Sequence, residues 1–220
     1  SSPKPTNPSK APRKKIVAAF DGNWLMWRAI HSIFARGLSS QWQRYLTDMV
    51  TGQIAAISLR LKAKECIVFF DGPDNFRYDI YPEYKANRYG GVESREQAEK
   101  GKPDEDAVHP MQAYPQMTEL LQVAGFPYVM VSRYEGDDLL ASLADLFVQY
   151  RPNDLLYLVN RDKDMIQAVS KNVHCYCPKV GKQPEQFITP ENLLTEIKGK
   201  TGMSPSSHLC YQVLAGDPTD

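Results

Sequence analysis

The sequence is short of several things that would each have pointed to a function. It has no charge excess: 26 Lys and Arg balance 26 Asp and Glu. Net charge therefore singles out no polyanion or membrane surface, although charges sorted in space still could bind one. There are only four cysteines, Cys66, Cys175, Cys177 and Cys210. Only Cys175 and Cys177 are close, at C-x-C spacing, which is neither a disulfide framework nor the usual zinc pattern. Reduced thiols in an intracellular protein are the expectation. Histidine is equally scarce: His31, His109 and His208 form no ligand spacing, and His174 reads as an ordinary strand residue. No apolar run approaches the length that spans a bilayer as a helix.

What is present is a rhythm. Residues 1–14 form a Pro-rich, acid-free basic tail that reads as disordered. It could be a tag remnant, a basic arm or the end of a processed targeting peptide. Beyond it, short apolar runs alternate with helical patterns. "KIVAAF" (15–20), "CIVFF" (66–70), "YVMV" (128–131) and "LLYLV" (155–159) read as central strands, and "VHCYC" (173–177) as a fifth nearer an edge. Helical spacing covers 45–64, 111–124 and 137–150, where Leu140, Leu143, Ala144 and Phe147 share a face. This order predicts an α/β fold with a mostly parallel sheet flanked by helices. Residues 78–106 break the rhythm, being polar and too long for a passive connection, which reads as a mobile functional loop or arch. Residues 190–220 look helical again, in short pieces. Trp24, Trp27 and Trp42 read as core.

The strand ends carry the chemistry. The first four strands lead into Asp21; Asp71; Glu135, Asp137 and Asp138; and Asp162 and Asp164. Ligand sites in open parallel sheets form at the carboxyl ends of strands. Each acid alone has an ordinary reading as turn or helix-start chemistry. Together they bring like charges to one edge, a cost that divalent cations would remove. All-oxygen donors favour hard ions such as Mg²⁺ or Mn²⁺. Two ions ~4 Å apart can flank a scissile phosphate.

These motifs carry a family resemblance. "FDGN", "FFDGPDNFRYDIYPEYKANR", "EGDD", "DKDM" and the closing "GDPTD" resemble, in order over residues 16–220, the 5′-nuclease (flap endonuclease) family. That family includes the 5′-nuclease domain of bacterial DNA polymerase I and phage 5′-exonucleases. The resemblance implies a PIN-like core over 15–220 with a helical arch at about 78–110. It implies two ions: Asp21, Asp71, Glu135 and Asp137, with Asp138 beside them, shaping the first site, and Asp162, Asp164 and Asp217 the second, with Asp220 outside it. Lys85 and Arg88 would act on the scissile phosphate from the arch base, and Tyr84 would stack on an unpaired base. A helical hairpin gripping duplex DNA, often with a potassium ion, would lie beyond Asp220.

The implied function is metal-dependent hydrolysis of DNA at 5′ flaps or 5′ ends, in replication or repair, by a monomer with no membrane association. It would work inside the cell with DNA, or in an organelle if the tail follows a targeting peptide. The supposed arch sets Arg95, Lys100 and Lys102 against Glu93, Glu96, Glu99, Asp104, Glu105 and Asp106. That is less positive charge than threading single-stranded DNA calls for. Competing readings are a PIN-like ribonuclease, a non-catalytic DNA-binding protein and a phospho-aspartate phosphatase. The last usually has D-x-D directly after the first strand, and here Asp21 is followed by Gly22 and Asn23.

Overall fold

The computed structural model describes residues 14–84, 110–193 and 195. Six strands form one sheet: β1 (Ile16–Asp21), β2 (Glu65–Phe70), β3 (Tyr128–Met130), β4 (Leu155–Val159), β5 (Val173–Cys177) and β6 (Gln186–Ile188). Their spatial order is β3-β2-β1-β4-β5-β6. The first five are parallel, and β6 returns antiparallel on β5. The parallel sheet is as the alternation predicts, and β5 lies near an edge as expected. Two points differ: β3 is an edge strand rather than a central one, and the edge beyond β5 is formed by β6, whose apolar run is too short to be read from sequence.

β1 is apolar on both faces because both faces are covered. Val17 and Ala19 pack on one side with Leu140, Ala144 and Phe147 of α5 (Gly136–Tyr150). Ala18 and Phe20 pack on the other with α1 (Gly22–Ala35), α2 (Trp42–Leu61) and α4 (Tyr114–Val123). Each fully buried Leu or Phe in these layers contributes about 1.5–3 kcal/mol. A four-residue α3 (Arg77–Ile80) follows the β2 loop.

Helix α1 is absent from the sequence expectation, which treated its residues as following the first strand. Trp24 and Trp42 do pack partly buried against the core. Trp27 does not: it lies on the outer side of α1, 36% exposed, stacked on His31 at 5.8 Å between centroids. Helix α2 begins three residues earlier than expected and stops at Leu61, where Lys62 turns left-handed at φ 56°. Among the described residues no helix is long and apolar enough to cross a membrane.

The amino ends of the strands are tied by charge. Arg151, capping the end of α5, donates to Glu65 at 2.6 and 3.2 Å and to Asp154 at 2.8 Å. Lys15 lies 3.4 Å from Glu65, and its backbone N–H donates to Asp154 at 2.9 Å. The opposite, carboxyl end holds the acids.

Candidate active site

Strand β1 sits where the chain order reverses: β2 and β3 build outward on one side, β4 and β5 on the other. A crevice opens at such a switch point. Asp21 ends β1 there. Its Oδ1 accepts the Trp24 N–H at 2.9 Å, so the same residue finishes the strand and caps α1. Gly22 must follow, because a Cβ there would lie 2.4 Å from the Phe70 ring. Burial raises the Asp21 carboxyl well above its usual range. The charge of Asp137 adds to the rise, the Trp24 N–H opposes it, and Asp71 and Asp162 raise it further. One carboxylate thus feels acids from three other segments.

Asp71 follows β2. Its Oδ1 accepts the Gly136 N–H at 2.7 Å, and its own N–H donates to Asn23 Oδ1 at 3.4 Å. Asn23 also accepts from the Tyr114 hydroxyl at 2.6 Å, which joins α1, the end of β2 and the start of α4. The loops after β2 and β3 are zipped backbone to backbone: Gly72 N–H to Tyr134 O at 2.8 Å, Arg133 N–H to Pro73 O at 2.7 Å, and Phe76 N–H to Arg133 O at 3.1 Å. A Cβ on Gly72 would fall 1.8 Å from Val131 O, so only glycine permits this approach. The zipper fixes Asp71 against the start of α5.

The three acids at that start have separate roles. Glu135 is the N-cap residue, only 8% exposed. Its carboxylate accepts from Asn75 Nδ2 at 2.7 Å and from the Tyr84 hydroxyl at 3.1 Å, and lies 3.8 Å from Arg77. Asp138 closes the capping box by accepting the Glu135 N–H at 3.0 Å and takes both arms of Arg77 at 2.7 and 2.8 Å. Asp137 is the acid that acts most strongly on Asp21. The crowding therefore combines helix-start chemistry at Asp138 with electrostatic repulsion between Asp137 and Asp21.

After β4, Asp162 Oδ1 accepts the Asp164 N–H at 2.8 Å, turning the chain into a short 3-10 helix over Asp164–Ala168. Arg77, Tyr84, Glu135, Asp137, Asp138, Asp162 and Asp164 all line one cleft of about 380 Å³. Asp21 and Asp71 are outside that lining and reach it electrostatically. Among the described residues, no three of these acids stand in ready coordination around one point. Lys85, Arg88, Asp217 and Asp220, most of the expected arch and the segment from 196 onward lie outside the described residues.

Sequence reasoning singled out Tyr84 as a base-stacking residue. Its hydroxyl is committed to Glu135, and its ring meets Tyr78 at 5.7 Å between centroids and Arg77 at 5.7 Å. Arg77, Asn23, Asn75 and Tyr114 were not singled out, although the quoted motifs contain Arg77, Asn23 and Asn75. Asn160 was also missed. It follows β4 directly and is fully buried, and neither polar atom of its carboxamide has a hydrogen-bond partner among the described residues.

Residues 16–198 match the family described as 5′-3′ exonuclease, N-terminal resolvase-like domain. The chain is 30% identical over 219 residues to a DNA polymerase I of Mycobacterium bovis, covering 97% of this chain and 22% of the polymerase. It is 28% identical over 210 residues to a 5′-3′ exonuclease of Aquifex aeolicus, covering 94% of this chain and 63% of that enzyme. The chain thus spans less than two thirds of either relative. A bacteriophage T5 protein co-crystallised with metal ions shares the fold at a TM-score of 0.66 and 18% identity, over 94% of this chain and 68% of its own. A bacteriophage T5 flap endonuclease in a pseudo-enzyme-product complex with DNA and metal ions gives 0.63 at 17% identity, covering 94% of this chain and 68% of its own.

Proposed function

Because the chain belongs to the family of 5′-3′ exonuclease N-terminal, resolvase-like domains, we propose that it is a structure-specific 5′-nuclease hydrolysing phosphodiester bonds in DNA at 5′ flaps or 5′ ends. The observation that carries this reading is Asp21. It stands at the switch point of a parallel sheet and is pressed by Asp137, Asp71 and Asp162 from three other segments. A fold keeps such repulsion when cations relieve it in the working state.

The donor set fits that group. It is all hard oxygen, which suits Mg²⁺ or Mn²⁺. Asp21, Asp71, Glu135 and Asp137 would hold one ion, with Asp138 beside them. Asp162, Asp164 and Asp217 would hold another, with Asp220 outside. When bound, two such ions supply an activated water and charge stabilisation for the leaving oxygen.

The chain's own residues do the positioning. Asn75 and Tyr84 orient the Glu135 carboxylate. Arg77 fixes Asp138, and through the capping box the first turn of α5. Gly136 orients Asp71. Lys85 and Arg88 would meet the scissile phosphate as compact and bidentate cations respectively. The protein acts as a monomer, inside the cell, where DNA is handled in replication or repair.

The test is cleavage of matched substrates: a 5′-flap DNA, the same flap in RNA, and a recessed 5′ end, with Mg²⁺ and with chelator. The expected result is Mg²⁺-dependent cutting of the DNA substrates that Asp137→Asn lowers by at least ~100-fold while the folded state persists. Cutting of RNA alone would instead make it a ribonuclease. Undiminished cutting by the variant would remove Asp137 from the site.

A further inference from the structure

The site just proposed has an electrostatic problem of its own. A crevice of carboxylates repels the phosphates it is to cut, and the whole chain carries no net positive charge. Cations must be placed on the same edge of the sheet. One group of them belongs to no part of the machinery described so far.

Strand β5 runs parallel to β4, so the hairpin from β5 to β6 turns at the carboxyl end of the sheet, where the acids are. Residues 178–184, "PKVGKQP", contain two lysines and no acid. Lys179 and Lys182 are both exposed. The turn between them is closed by the Val180–Gln183 bridge, with Gly181 at φ +54°.

Arginines from three different elements hold this turn. Arg161, one residue before Asp162, donates to Pro178 O at 2.7 Å, Gln183 Oε1 at 2.7 Å and Pro184 O at 2.6 Å. Arg28 of α1 donates to Lys179 O at 2.9 Å. Arg60 of α2 grips Glu185 at 2.6 Å, and Glu185 also accepts from the Tyr176 hydroxyl at 2.9 Å.

The acceptors decide what the turn is for. Among the described residues, the hydrogen-bond acceptors of Arg161 and Arg28 are all neutral oxygens, so these bonds hold both guanidinium groups without an ion pair, and Arg28 also lies 5.3 Å over the Trp24 ring. The pair is close enough that Arg161, after burial, lowers the Arg28 guanidinium from its usual value. The hairpin's acid, Glu185, is already neutralised at its base by Arg60. A like-charged set held rigid beside a catalytic crevice disfavours the unbound state and favours a polyanion.

We propose that the tip of the β5–β6 hairpin is a contact for the DNA backbone beside the acidic crevice, with Lys179 and Lys182 as its phosphate-binding groups and Arg161 as the residue that positions them. This rests on the DNA-nuclease reading above. The clamp matters because a preorganised turn loses little entropy on binding. Arg161 couples the tip to Asp162 through a single peptide link, so a phosphate seated on the lysines sets the strand in register with the crevice.

The test measures binding of a fluorescent 5′-flap duplex by anisotropy, in chelator to prevent cleavage, across a series of salt concentrations. Lys179→Ala/Lys182→Ala should weaken binding by about tenfold at low salt. It should also flatten the slope of log affinity against log salt by about 1.8, at ~0.9 for each phosphate that a lysine no longer neutralises. Lys62→Ala/Lys64→Ala, at the far end of the sheet, should change neither. Arg161→Gln keeps both lysines; it should bind several-fold more weakly and be cut faster by trypsin after Lys179 and Lys182. A wild type that binds the flap with an unaltered slope in the Lys179/Lys182 variant overturns the hairpin proposal and leaves the nuclease reading standing. A wild type that binds no DNA at low salt overturns both. An Arg161→Gln variant indistinguishable from wild type in both readouts removes the clamp.

Discussion

Arg77 donates from its two terminal nitrogens to the two carboxylate oxygens of Asp138, at 2.8 and 2.7 Å. Its guanidinium also lies 4.9 Å from the centre of the Phe76 ring and 5.7 Å from that of Tyr84. It is the cation set among the acids of α5, and its own proton is held more tightly than usual, first by the hydrogen bonds to Asp138. Arg77→Ala should destabilise the fold by about 1.5–3 kcal/mol, the range for hydrogen bonds to charged groups. Arg77→Lys should recover only part of that, because an ammonium cannot fork across two oxygens. Urea denaturation of the three proteins in chelator checks this. A lysine variant as stable as wild type would mean that charge alone, not the fork, matters there.

Gly72→Ala should be among the most damaging single-methyl additions in the chain. The added carbon would meet the Val131 carbonyl at 1.8 Å, and that atom is backbone held by its own turn. Separating the loops would break the zipper between 72–76 and 131–134. A loss of roughly 3 kcal/mol or more is expected, as for severe overpacking. Thermal denaturation measures it. A shift in Tm of only a degree or two would show that the two loops separate freely.

Acid should loosen the amino ends of the strands first. The hydrogen bonds from Arg151, then its charge and those of Lys15, hold the Glu65 carboxyl below its ordinary 4.5 in the folded chain. A carboxyl depressed by folding contributes stability above the unfolded value and loses it as pH falls through the folded one. The effect is small, under ~1 kcal/mol, because both side chains of the pair remain partly open to solvent. Arg151→Ala should therefore be less stable than wild type at neutral pH and should converge on it only as pH falls below the ordinary carboxylate range, where Glu65 and Asp154, both held low in the folded chain, become protonated. Stability measured at several pH values tests this, and a constant gap across the range would assign the arginine a packing role.

Lys85 lies outside the described residues, and its role rests on the "YKANR" motif. Lys85→Ala should lower single-turnover cleavage by ~100-fold or more while DNA affinity changes far less, as for loss of one preorganised donor to a transition state. Equal losses in rate and affinity would make it a general phosphate clamp.

The sequence made β4 and β5 legible to the residue because each is a compact apolar run ending at polar residues. It hid α1, because Asp21, Gly22 and Asn23 look like a turn and the apolar residues beyond them look like more core. In the fold, Asp21 is the cap and Gly22 is needed for contact with Phe70. Trp27 was misread for the same reason: without the helix, nothing says which of Trp24 and Trp27 faces inward. The acids were legible as a set because each closely follows a strand. Their division of labour was not. Asp137 and Asp138 are adjacent, so on a helix they diverge by about 100°. Which one acts on Asp21 and which one pairs with Arg77 depends on the placement of α3, whose Arg77 is 61 residues from Asp138 in sequence.

The belt formed by Lys15, Glu65, Arg151 and Asp154 has two positive and two negative members, and they satisfy one another. Cohesion of β1, β2, β4 and α5 is secured there, about a strand's length from the crevice. The crevice edge is thereby released from any duty to hold the sheet together. Crowding among its acids can be relieved or restored while the sheet keeps its shape, moored at the other end.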